Sequence, residues 1–204
     1  MHRNIMLSAG LFLALGTLPA SALDKVTFGT NWLAEAEHGG YYQAIADGTY
    51  QKYGLDVSIT QGGPQSPNEA LLISGKVDFY MGSMLSLYDD VKQGIPMINV
   101  AAIFQKDPQV LIAHPEVKTF ADLAKLDTIY MGQEGYATYF TWMKATMSGF
   151  RDEQYKPYTF NSAPFVADPK SAEQGYLTSE PFAVKAASGE EPNVFLFADN
   201  GYAP

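Results

Sequence analysis

The chain has 204 residues, with 13 lysines and arginines against 22 aspartates and glutamates, a formal charge of −9, and no cysteine. An acidic balance without basic runs excludes nucleic acid and anionic membrane as expected partners, and the missing thiols exclude disulfides, cysteine nucleophiles and cysteine-based metal sites. With 47% hydrophobic residues and periodic segments throughout, the composition is that of a folded chain and not a disordered one.

Residues 1–22 read as a cleavable export signal. His2 and Arg3 lead an apolar run, Ile5–Leu18, and Ala20-Ser21-Ala22 offers a small-x-small cleavage site. The run of about 14 residues is short of the ~20 that span a bilayer, so the expected location is the periplasm. Strand and helix signals then alternate, which predicts an α/β fold. Lys25–Gly29 reads as a strand, Gly39–Tyr53 as a helix closed by Gly54, and Leu55–Gln61 as a half-buried strand by its alternation. Ser66-Pro67-Asn68-Glu69 has the form of a capping box opening a helix that ends at Gly75. Val77–Met81 follows as a strand and Ser83–Gln93 as a helix. Met97–Phe104, mostly apolar, predicts a strand buried on both faces.

The polar Gln105-Lys106-Asp107-Pro108 marks a boundary, giving a first lobe over 23–104 and a second over 105–197. In the second, Gln109–Ala113 and Thr128–Gly132 read as strands, Thr119–Asp122 opens a short helix, and Ala137–Ser148 is a helix. Lys156–Phe160 reads as a strand, Asp168-Pro169 as a helix start, Gly175–Thr178 as a strand, Glu180–Ala187 as a helix capped by Ser179, and Asn193–Ala198 as the last strand. Residues 198–204 would begin a return to the first lobe.

Ligand chemistry concentrates at strand ends, where open α/β sheets bind ligands. Asn31 and Trp32 follow the first strand. An indole gives a flat stacking face and one donor, and the amide donates and accepts; alternatively Trp32 packs on the first helix. His38 could touch an anionic or carbonyl oxygen or simply cap the helix, and as a metal ligand it has only His114 for company. Of Tyr41 and Tyr42, helical spacing leaves one for a cleft, and Tyr41 is the candidate. Ser83, Glu134, Tyr136 and Glu180 complete the set, Glu134 and Tyr136 in a loop flanked by Gly132 and Gly135, and Glu180 in the first turn of a helix, where a carboxylate is favoured in any case.

The stretch TFGTNWLAEAEHGGYYQAIADGTYQKYGLDVSITQGG at 27–63, with Tyr176-Leu177-Thr178-Ser179-Glu180-Pro181, resembles the NMT1/THI5-like group of solute-binding proteins that serve ABC importers. The resemblance implies a two-lobed, type II periplasmic-binding-protein fold with mixed sheets flanked by helices. It implies hinge closure on a small-molecule solute, an inner-membrane permease as partner, a monomer, and no cofactor. It also implies about a third more chain, so the expectation is a shortened product whose first lobe is incomplete. A thiamine-precursor pyrimidine is the first expected ligand, with a flavin-like ring, a sulfonate or nitrate as alternatives. The group includes synthases of the thiamine pyrimidine, which use a lysine and a histidine after a Gly-Lys-Val-Asp strand, and cysteines. Here Gly75–Asp78 is followed by Phe79–Leu87 without Lys or His, so the expectation is a binding protein with no catalytic residue. The alternatives are a synthase-like enzyme or a shortened remnant that binds nothing.

Overall fold

The computed structural model describes residues 22–64, 66 and 68–202. The expected export signal therefore falls almost wholly outside the described residues, as does Pro67 of the expected capping box. The chain builds two open sheets. In the first, β1 (Asp24–Gly29) lies between β2 (Leu55–Thr60) and β3 (Phe79–Tyr80), and all three run parallel. Parallel neighbours need long crossovers. They are supplied by α1 (Gly39–Ala46) with α2 (Thr49–Lys52), and by α3 (Asn68–Ile73), while α4 (Met84–Lys92) leaves β3. The single helix expected over 39–53 breaks because Gly48 takes a left-handed conformation, φ 72°.

The second sheet has the order β6-β5-β7-β4-β8. Its strands are β4 (Gln109–Ala113), β5 (Thr128–Met131), β6 (Tyr155–Pro157), β7 (Ser171–Tyr176) and β8 (Asn193–Leu196). β5 pairs parallel with β6 and β7, whereas β4 runs antiparallel to β7 and β8. Around it lie α5 (Gln133–Gly135), a π-helical turn at Tyr136–Phe140, α6 (Thr141–Thr146), α7 (Ala163–Ala167) and α8 (Glu180–Ser188). The expected helix start at Asp168 is instead a turn: Lys170 N donates to Asp168 Oδ1 at 3.0 Å, and the chain enters β7.

β4 anchors the core, and its alternation feeds both faces. Leu111 and Ala113 pack with Leu123, Ile129, Met131, Phe140 and Phe197, and Val110 and Ile112 with Phe165 and Val184. The first sheet adds little; the apolar side chain buried beside it is Val77, in the turn before β3. The strand expected at 97–104 does not form, and Ile98 and Val100 are 86% and 74% exposed. An apolar run records the capacity to be buried, but a strand exists only beside a neighbour that takes its hydrogen bonds.

Candidate functional site

The turn after β1 is fixed by backbone-directed side chains. Thr30 Oγ1 donates to Trp32 O at 2.8 Å and accepts from Gly62 N at 3.0 Å, and Asn68 Nδ2 donates to Thr30 O at 2.8 Å and Thr60 O at 3.2 Å. A Cβ at Gly62 would stand 2.3 Å from Thr30 O, so only glycine allows the two strand ends this close. The turn therefore holds Asn31 and Trp32 rigidly at the edge of the second sheet.

Asn31 has both amide ends engaged. His38 Nδ1 accepts from Glu35 N at 3.3 Å, which puts the ring proton on Nε2, and Nε2 donates to Asn31 Oδ1 at 3.1 Å. Asn31 Nδ2 then donates to Tyr176 Oη at 3.2 Å, across to the end of β7. Burial holds His38 below its ordinary range, so the neutral tautomer that this chain of bonds requires is the favoured one. Trp32 also reaches the second lobe. Its ring lies parallel to Tyr158, centroids 6.1 Å apart, with Phe160 edge-on at 6.2 Å, and its indole N–H is buried without a protein partner. Phe160 sits at φ 59°, a conformation that costs a bulky residue about 1–2 kcal/mol, so the loop packed against Trp32 is strained.

Asn31, Trp32 and Tyr176 border a cavity of about 90 Å³ lined also by Ser83, Gln109, Glu134, Tyr139, Gln174, Glu180 and Glu35. Gly132 and Gly175 bring backbone to its floor. Gly132 N donates to Gln174 Oε1 at 2.6 Å, and a Cβ on Gly175 would meet Glu180 Cβ at 2.8 Å. Three carboxyl groups converge at one end. Glu37 Oε2 accepts from the Thr178 and Ser179 hydroxyls at 2.9 and 2.8 Å, a second bridge between the lobes, and Glu180 Oε2 accepts from Tyr176 N at 2.7 Å. Burial, then the neighbouring Glu37 and Glu180, pushes Glu35 up to about 9. Burial raises Glu180 as well, while for Glu37 the hydrogen bonds from Glu35, Ser179 and Thr178 outweigh burial and lower it. Glu35 is thus the protonated member of the trio, and its proton supplies a donor to neighbours that would otherwise repel it.

Of the residues singled out in the sequence, Asn31, Trp32, Ser83, Glu134 and Glu180 line this cavity. His38 stands behind Asn31, fully buried. Tyr41 stacks on Phe28 at 4.5 Å, and Tyr136 turns outward to donate to Asp152 at 2.8 Å. Glu35, Tyr176 and Gln174 were not foreseen. Tyr176 stood in the strand-end motif, but nothing local in the sequence tells which face of β7 it takes. Glu35 gains its setting only when the second lobe arrives.

The family model described as NMT1/THI5 like matches residues 35–203. A Haemophilus influenzae protein named for thiamine biosynthesis is 26% identical over 109 residues, 52% of this chain and 35% of that one. A 4-amino-5-hydroxymethyl-2-methylpyrimidine phosphate synthase of Schizosaccharomyces pombe is 28% identical over 116 residues, 55% of this chain and 33% of its own. The aligned part is thus about a third of the length of these curated relatives. Among solved structures, an ancestral arginine-binding protein bound to glutamine superposes with TM-score 0.51 at 14% identity, covering 84% of this chain and 77% of that one. The sulfate-bound regulatory domain of OxyR2 from Vibrio vulnificus gives TM-score 0.52 at 12% identity, covering 88% and 83%. The fold is the type II periplasmic-binding-protein fold. The expectation of a chain outside the enzymes is corrected here: relatives with the synthase name match it, so the lack of cysteine and of Lys or His after Gly75–Asp78 does not separate it from them.

Proposed function

Since the chain belongs to the NMT1/THI5-like family, we propose that its inter-lobe cleft captures one flat, amine-bearing heteroaromatic solute of the thiamine-pyrimidine class. The observation that carries this reading is one cavity lined together by Trp32, whose indole N–H has no protein partner, and by the carboxyl-bearing Glu180 and Glu35. The indole stacks the ring and donates to a ring or carbonyl acceptor. A carboxylate takes the exocyclic amine in a charge-assisted bond. Asn31, held by His38, orients the ring from the other side. About 90 Å³ is the space of roughly three waters, so a ring enters only when the lobes part about their hinge.

In this reading the protein is the solute-binding component of an importer. It is exported by the signal at 1–22, works as a monomer in the periplasm, and hands its solute to a membrane permease. The names of the relatives favour a second reading, synthesis of the pyrimidine phosphate itself. A thermal-shift titration with 4-amino-5-hydroxymethyl-2-methylpyrimidine, thiamine, flavins and sulfonates tests the first. A ligand at 100 times its Kd adds about 2.7 kcal/mol, and no shift with any ring removes the reading. Formation of the pyrimidine phosphate by the purified chain would establish the second.

A further inference from the structure

The acid end of the cleft goes further than its amine-binding role. Glu35, Glu37 and Glu180 meet there, and Glu173 on β7, two residues before Gly175 and on the same strand face, lies behind Glu180. Glu173 is fully buried; Ser162 Oγ donates to its Oε1 at 2.6 Å, and its Oε2 finds no protein partner. Glu35 Oε2 and Glu37 Oε1 are likewise buried, and what they share there is the Glu35 proton, with no donor from a neutral or basic side chain. Among the described residues no lysine or arginine lines the cavity, and none forms an ion pair with any of the four. Nor do the described residues form a group of three or more His, Cys, Asp or Glu able to hold a metal ion. Buried carboxyl groups without a cation are costly unless protonated or paired, and an organic cation would pair them.

We propose that the cleft holds its ligand as a cation of the amidinium class, and that Glu35 carries the proton which this cation replaces. The inference rests on the reading of the cleft as a heteroaromatic site and adds the charge state of the bound ring. With a ligand that is already cationic, the Glu35 O–H bond breaks, the proton leaves to solvent, and the ligand N–H groups take its place between the carboxylates. With a neutral aminopyrimidine the same proton moves to a ring nitrogen, an N–H bond replaces the O–H bond, and nothing is released. The titratable groups around Glu35 are Glu37 and His38 on its own turn, Glu180 on α8 with Glu173 of β7 behind it, Tyr176 on β7, Tyr158 beyond β6, and, across the cavity, Glu134 on α5 and Tyr139. All but His38 are acids, and His38 is held neutral by burial and by its bond to Asn31.

Benzamidine, a flat cation, and benzamide, its neutral isostere, separate the charge from the shape. Calorimetric titration of the whole chain at pH 7, in buffers of different ionisation heat, should show benzamidine binding at least roughly tenfold tighter than benzamide, about 1.4 kcal/mol. Benzamidine should release about one proton, and it should bind more tightly from pH 6 to pH 8. Glu35→Gln should abolish the release and most of the preference, with circular dichroism checking the fold. Should that variant not fold, the wild-type proton count decides alone. Equal binding of the two probes, or benzamidine binding without release, overturns the proposal. If benzamidine binds with release and the pyrimidine does not bind, this inference stands and the pyrimidine assignment falls. If the pyrimidine alone binds, its ultraviolet spectrum decides, a neutral bound ring overturning the proposal and a protonated one supporting it. If neither ring binds, both readings fall.

Discussion

Asn31 offers a ligand little freedom, because His38 fixes its oxygen and Tyr176 takes one of its amide hydrogens. Its role is therefore positional as much as contacting. Trp32 is the side chain whose loss matters most for recognition. Trp32→Ala should weaken ring binding by roughly tenfold to a hundredfold, the range of a lost stack plus its buried area, read by calorimetry. Trp32→Phe should recover the stacking share and not the N–H share. Gly62→Ala tests the turn itself. Its methyl group would overlap Thr30 O and the Asn31 carbonyl, and overpacking of that kind costs about 1–3 kcal/mol. Urea denaturation should show that loss, and ring affinity should fall along with it because Asn31 and Trp32 ride on the displaced segment.

Elements show where sequence reading works and where it stops. Leu55–Thr60, Gln109–Ala113 and Thr128–Met131 were legible because alternation or continuous apolarity coincides with a neighbouring strand. The segment 97–104 had the same signature and no neighbour. The expected helix over 137–148 starts instead with a π-helical turn at Tyr136–Phe140, a distortion that residue preferences do not encode. At the site, strand ends and their polar residues were readable, so Asn31, Trp32 and Glu180 were found. Tyr41 was not separable from Tyr42 by spacing alone, and Glu35 acquires its chemistry from Glu180, 145 positions away in sequence. Ser83 does two things as an element terminus. Its Oγ accepts from Ser86 N at 3.1 Å, capping α4, while the residue lines the cavity. Ser83→Ala should cost about 1 kcal/mol of stability, measured by denaturation, with a smaller effect on ring affinity than Trp32→Ala.

Across the whole molecule, several carboxyl groups keep protons that an unfolded chain gives up near pH 4.5. Burial pushes Glu69 up to about 7 beside Asp90, Glu173 to about 7, and Glu35 to about 9. At these three groups the folded state binds more protons than the unfolded one between about pH 4.5 and 9, so they make stability fall as pH rises through that window, and His38, lowered by burial, offsets part of the fall. The ligand-free melting temperature should be higher at pH 5.5 than at pH 8.5, and Glu35→Gln should flatten the decline; a melting temperature rising over that range would contradict the carboxyl assignments. The run containing Ile98, Val100 and Ile103 presents exposed apolar side chains close together in sequence. It should bind a hydrophobic dye, and the double variant Ile98→Lys with Val100→Lys should remove that fluorescence without lowering the melting temperature. The pairing of β8 with β4 also has a consequence for biosynthesis. The first three strands can assemble as soon as residue 80 clears the ribosome, but the second sheet waits for a partner made some eighty residues after β4. A nascent chain stalled with residue 190 just outside the exit tunnel should be cut readily by protease within 109–176, and one stalled ten residues later should resist.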